Sequence, residues 1–245
     1  MSRICTPIVL NHPAFIPACV VLGLVARLAL CTFLPIEQYS DFAWYSNRAL
    51  ELAAGMPYQE GGMPTAYWPV GWPFILSLFI RVLGSLDLAI LVANLLSYLL
   101  IMGLIYLFGV RIIGDNVATR IALFLYAVYP NHIAYSGLAA TEPVYTALLM
   151  AAFGLLIVRR NSLLMVAVAG LLFGASTLVK PQTLLFPVGA LIALIWVYPD
   201  FTLKRAFAAL AVLYVALALV LAPWSYRNYR VFDAFVPVST NGGVG

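Results

Sequence analysis

Charge is what this sequence has least of. Only 9% of its 245 residues are Asp, Glu, Lys or Arg, against about 25% in a soluble domain, and 64% are hydrophobic. Water is therefore not its main solvent. Cysteine is nearly as scarce: Cys5, Cys19 and Cys31 all lie near the first apolar segment. On one helix the latter two would stand about 18 Å apart, too far to pair. The two histidines, His12 and His132, are far apart, no zinc-ligand spacing occurs, and no glycine-rich dinucleotide fingerprint is present. The thirteen Lys and Arg give a net charge of +4, but they stand singly or in pairs without a basic stripe, which excludes a nucleic-acid partner and leaves them as topology signals.

What is present is a succession of apolar runs approaching the roughly 20 residues that cross a hydrocarbon core, with a mean hydropathy of +1.01. The runs are continuous rather than alternating, so the spanning element is a helix and not a barrel strand. The expected fold is an all-α integral membrane protein, a polytopic bundle of about seven transmembrane helices near 14–34, 87–110, 117–136, 143–158, 163–179, 182–198 and 206–223. The first stretch, after Arg3, is longer than a signal-peptide core and contains Arg27, so it reads as a retained span. Residues 1–245 form a single module, with no soluble domain and no repeat.

The run 71–83 is too short to decide by itself. Cytoplasmic loops collect Lys and Arg, and treating 71–83 as a helix on the outer surface puts Arg3, Arg111, Arg120, Arg159, Arg160, Lys204 and Arg205 all inside, with the N-terminus cytoplasmic. Three outward segments follow: the loop 35–86, the tight turn 137–142 and the tail 224–245, with a short turn at Lys180. The first holds Glu37, Asp41, Glu51 and Glu60, with Asp87 at its edge, more than half of the nine acidic residues. Within it Ser40 opens, and Gly55 closes, an amphipathic segment whose apolar residues Phe42, Tyr45, Ala49, Leu52 and Ala53 suit an interfacial helix over 41–54. Trp44, Tyr67, Trp68 and Trp72 suit headgroup depth.

Asp41 falls in the first turn of that helix, where free amides and the positive dipole end favour a carboxylate. It is a candidate general base or a helix-terminus stabiliser. Glu142 precedes Pro143 in the second outward turn, close to hydrocarbon, where a carboxylate is costly unless used or paired; capping is the competing role. Lys180, between Val179 and Pro181, could hold a phosphate as a point charge or simply snorkel. Arg227 and Asn228, with Arg230, put guanidinium groups on the outer side against the charge bias, which a bound anion or lipid headgroups would explain. Arg27 inside the first span costs about 2.5–3.5 kcal/mol on insertion scales and should snorkel or face the bundle.

The order of S-D-F-A-W-Y, G-M-P-Y, P-V-G-W-P-F, T-E-P, L-V-K-P-Q and A-P-W-S-Y-R-N-Y-R-V-F…V-P-V-S-T-N-G-G resembles the C-type membrane glycosyltransferases. The likeness is strongest to the bacterial branch related to protein mannosyltransferases, aminoarabinose transferases and lipopolysaccharide galacturonosyltransferases, and it runs from about residue 20 to 245. It implies transfer of a sugar from a polyprenyl-phosphate carrier to a lipid, glycan or protein acceptor at the outer face of a bacterial inner membrane. By that resemblance Asp41 matches the catalytic aspartate, Glu142 the acidic residue of the second outer loop, and Lys180 and Arg227 the donor-phosphate contacts, with Asn228 beside them in the substrate site. The helices 41–54 and 71–83 match juxtamembrane helices.

No nucleotide cofactor is implied. A divalent metal is used by some C-type relatives, but Glu142 alone forms no site, so no metal ligand is assigned. Family members are longer, so the chain is expected to be an N-terminal fragment lacking the C-terminal part of the family. An arginine common early in the second full span is missing from LDLAILVANLLSYLL. The alternatives are a membrane transporter, which calls for ionisable groups near the bilayer midplane, and a noncatalytic membrane scaffold.

Overall fold

The computed structural model describes residues 12–241. Cys5 and Arg3 lie outside the described residues. Apolar sequence in lipid must satisfy its own backbone, and the chain does so almost wholly with helices. They are α1 (Phe15–Phe33), α2 (Ser40–Ala53), α3 (Gly71–Leu83), α4 (Leu86–Phe108, continued by a π-turn Gly109–Ile113), α5 (Asn116–Ala127), α6 (Pro130–Ala134), α7 (Glu142–Arg159), α8 (Leu163–Val179), α9 (Phe186–Val197) and α10 (Leu203–Phe232). A two-stranded hairpin, β1 (Gln59–Glu60) with β2 (Met63–Pro64), interrupts the α2–α3 connection. Its Gly61-Gly62 turn takes positive φ at both residues, as a twisted two-residue hairpin requires.

Among the described residues, α1, α4 with its π-turn, α7 and α10 are each long and apolar enough to cross a membrane. Large apolar side chains such as Trp196 (88% exposed) and Phe207 (70%) point outward, which suits lipid and not water. The chain is an all-α membrane bundle. The expected span 117–136 is divided: α5 stops at Ala127 and α6 restarts at Pro130, because proline lacks an amide donor and holds Tyr129 extended. The expected 182–198 begins as a 3₁₀ turn, Pro181–Leu185, before α9. The expected 206–223 runs on to Phe232, taking the polar sequence SYRNYRVF into the helix.

Two of the bundle's apolar cores bear on the site. One joins α7, α8, α9 and α10 through Leu156, Phe173, Leu194 and Leu213. Its helices approach closely at Gly170, where a Cβ would lie 2.6 Å from the Leu213 carbonyl oxygen, and at Gly174, the small-residue contact that lets membrane helices associate. The other joins α2, α3 and α4 through Tyr45, Ala49, Trp72, Leu76 and Ile90, and reaches Ala139 and Val179. Gly71 abuts the Leu178–Val179 backbone, so the start of α3 and the end of α8 meet at one end of the bundle, called here the loop end.

Three local expectations are corrected. Ser40 makes no capping bond: Tyr39 holds the N-cap position of α2, and Ser40 takes φ +48 and donates to Asp41. The apolar face of α2 packs on α3 instead of lying open to the interface, because the α2–α3 hairpin supplies a closer apolar partner than lipid. Trp72 is fully buried and its indole N–H donates to the Ala139 carbonyl, so it is a core residue and not a headgroup anchor. Arg27 faces the bundle. It is 1% exposed, stacks over Tyr98 at 3.8 Å, and donates to the Gly23 and Ala127 carbonyls. Cys19 and Cys31 are free.

Candidate active site

At the loop end three elements distant in sequence converge. The first turn of α2 supplies Asp41, the N-terminus of α7 supplies Glu142, and the break between α8 and the 3₁₀ turn supplies Lys180. All three line one polar cavity of about 250 Å³, with Phe42, Tyr45, Trp68, Thr141, Gln182 and Asn241 among its walls. Each position has a local cause. Pro143 at the start of α7 is tolerated because the first helical amides have no intrahelical acceptor, and it leaves Glu142 at the helix terminus. Pro181 cannot continue α8, so Lys180 leaves it with extended backbone.

Lys180 Nζ donates to Glu142 Oε1 at 2.8 Å, and the two side chains remain 25% and 37% exposed. The Lys180 ammonium also stands 5.4 Å from the centre of the Tyr145 ring, whose hydroxyl accepts from Thr183. Asp41 is exposed at the rim, with Ser40 as its hydrogen-bond donor at 3.4 Å. Between the two carboxylates, Tyr45 has its hydroxyl pKa pushed up, first by burial and then by the charges of Asp41 and Glu142. It therefore stays protonated across the physiological range and lines the cavity as a neutral phenol.

Arg227 and Asn228 are not brought to this cavity. Arg227 donates to the carbonyls of Tyr58 (2.6 Å) and Thr65 (2.8 Å) and to Asn228 Oδ1 (3.0 Å), with its guanidinium over the Trp224 ring. Asn228 is fully buried and donates to the Val236 carbonyl. The pair therefore clasps the segment carrying the β1–β2 hairpin to the end of α10. The tail 236–241 is held the same way: Trp224 donates to Val238, Ser225 to Pro237, and the amides of Thr240 and Asn241 donate to Ala66 and Tyr67. That tail delivers Asn241 to the cavity wall.

Residue-type reasoning passed over Tyr45, Gln182 and Asn241, since they carry no charge, although each lies within a motif: S-D-F-A-W-Y, L-V-K-P-Q and S-T-N-G-G. The S-T-N-G-G run was the one available signal for Asn241. The cavity's carboxylates are Asp41 and a Glu142 already engaged by Lys180. Among the described residues no group of three or more His, Cys, Asp or Glu converges, and no step is derived through a metal.

No curated protein and no solved structure matches the chain. A family model does, that of the dolichyl-phosphate-mannose-protein mannosyltransferases, over residues 68–226. The matched stretch contains Glu142 and Lys180, while Asp41 lies before it and Arg227 and Asn228 just after it. With nearly two thirds of its length matched, the chain belongs to the dolichyl-phosphate-mannose-protein mannosyltransferase family, membrane glycosyltransferases that use polyprenyl-phosphate-linked sugar donors.

Proposed function

We propose that this protein transfers a sugar from a polyprenyl-phosphate carrier to an acceptor hydroxyl at the outer face of a bacterial inner membrane, with its N-terminus in the cytoplasm. Asp41 takes the acceptor proton as the acceptor oxygen bonds to the anomeric carbon. The bond from that carbon to the phosphate oxygen breaks, and its electron pair leaves with the lipid phosphate. Lys180 meets the charge that grows on that phosphate, and Glu142 holds the ammonium in place. Arg227 and Asn228 act at a distance, holding the hairpin segment and the tail that carries Asn241. No nucleotide takes part, and the step as written balances without a metal.

The observation that carries this reading is the single polar cavity in which Asp41 and the Glu142–Lys180 pair face a common space. The sidedness rests on charge. Arg111, Arg120, Arg159, Arg160, Lys204 and Arg205 all fall at the end of the bundle opposite the loop end, while the loop-end cations Arg48, Arg81, Lys180, Arg227 and Arg230 each have a protein acceptor.

The experiment is transfer of radiolabelled sugar in membranes expressing the full-length gene, offered either a panel of polyprenyl-phosphate sugars or the matching nucleotide sugars. Labelled product from a lipid-linked donor, and none from nucleotide sugars once carrier charging is blocked, is the expected result. No product from any lipid-linked donor would remove the proposed reaction.

A further inference from the structure

The turn that leads into Glu142 is built in an unusual way. Five successive carbonyls, from Tyr135 to Ala139, each accept a hydrogen bond from a side chain of another element. The Asn94 amide of α4, 3% exposed, donates within reach of the carbonyls of Tyr135 (2.8 Å), Ser136 (3.3 Å) and Leu138 (3.2 Å). Gln38 donates to Gly137 (2.8 Å), and Trp72 donates to Ala139 (2.8 Å). Gln38 also accepts from the Ala139 amide through Oε1 at 2.9 Å. Turning the Asn94 amide over would set its oxygen against three carbonyls, so this orientation follows from the network.

Buried carbonyls need partners, and the 3₁₀ turn Tyr135–Gly137 supplies one from its own backbone, the Leu138 amide on the Tyr135 carbonyl. The side-chain partners come from three separate elements, and this fixes the turn relative to all three. Gln38 has a further property. It lies three residues before Asp41, and its second partner, Ala139, lies three residues before Glu142. The intervening segments are short: Tyr39 and Ser40 on one side, Ala140 and Thr141 on the other, with Ala140 fully buried. A single two-point amide clamp thus ties the segment carrying the proposed base to the segment carrying the carboxylate that holds Lys180.

We infer that Gln38 is a positioning residue of the transfer, setting the separation of Asp41 from the Glu142–Lys180 pair, while Asn94 and Trp72 hold the turn on which it acts. The inference rests on the function proposed above. Displacing reacting groups by about 1 Å costs on the order of 10²-fold in rate. Gln38 is only half-buried, so Gln38→Leu removes the clamp without opening the core, whereas the buried Asn94 and Trp72 are poor probes.

The test uses the full chain in detergent or nanodiscs. Gln38→Leu should lower kcat by roughly 10- to 100-fold per folded molecule with the donor KM within about threefold of wild type, and Gln38→Glu, which keeps the acceptor and loses the donor, should not restore it. Placed on Asp41→Asn, Gln38→Leu should lower the residual rate no further, because it acts through the base. Equal fractional losses in both backgrounds, or an unchanged kcat, would overturn the positioning role. Hydrogen exchange separates this result from failure of the proposed reaction. Gln38→Leu should speed exchange at Ala139 and at the first amides of α2, leaving α8 unchanged. Unchanged exchange there would overturn the clamp whatever the transfer assay gives, and absence of transfer by wild type together with faster exchange would overturn the reaction and the catalytic role while leaving the clamp.

Discussion

Lys180 and Arg227 are two cations at the same end of the bundle, and as residue types either could bind a lipid phosphate. Their surroundings part them. Lys180 has one carboxylate partner and borders a polar cavity. Arg227 gives its donors to two backbone carbonyls and an amide oxygen and lies over an indole ring. A cation with donors left over beside open space can take a ligand. One bonded to two backbone carbonyls and stacked on an indole holds the chain together. What a cation does here depends on which acceptors the fold has given it and on the open space beside it.

The comparison is sharpened most by changing the cavity side at its base. Asp41→Asn should cost about 10²- to 10⁴-fold in transfer rate, the range of a lost general base, with expression and thermal unfolding near those of wild type, since Asp41 is exposed. Arg227→Gln should act in the opposite manner. Stranding the Tyr58 and Thr65 carbonyls should cost about 2–3 kcal/mol of stability, read as a lower unfolding temperature and faster proteolysis within 55–67. Activity per folded molecule should change far less.

Glu142→Gln should have a smaller and divided effect. Freed of its competing carboxylate, Lys180 should bind the donor more tightly, lowering KM several-fold, while kcat falls by about tenfold because the ammonium is no longer held at the leaving oxygen. The smallest effect belongs to Asp200, at the opposite end, whose carboxyl pKa is lowered first by its hydrogen bond from Arg160. A lowered folded-state pKa gives stability that is present above the unfolded value and lost as pH falls through the folded one. Asp200→Asn should therefore alter unfolding less at acid pH than at pH 7, and little even there, since Asp200 is exposed.

The same contrast explains what could be read from residues alone. Helix α8 matches its expected bounds because an uninterrupted apolar run ends at a proline. Asp41, Glu142 and Lys180 were legible as charges that interrupt apolar sequence, and the cavity they share is a fact of tertiary packing that residue spacing does not contain. Arg227 carried the same signal for a different reason: its backbone partners are carbonyls 162 and 169 residues away along the chain, and a carbonyl has no signature in sequence, nor does the Val236 carbonyl that takes Asn228. Gln38 escaped notice because its partners are backbone groups as well. Asn94 had one legible mark, a lone amide in the apolar run LDLAILVANLLSYLL, where a polar side chain inside a span needs a partner.

The most direct measurement is the affinity of purified full-length protein for polyprenyl phosphate, comparing wild type with Lys180→Met and Arg227→Lys after each preparation is corrected for its folded fraction. The account predicts that Lys180→Met weakens binding by about tenfold or more while Arg227→Lys, which keeps a cation at the hairpin, binds as wild type does. Weakened binding in Arg227→Lys with wild-type affinity in Lys180→Met would contradict it and move the donor phosphate to the other side of the loop end.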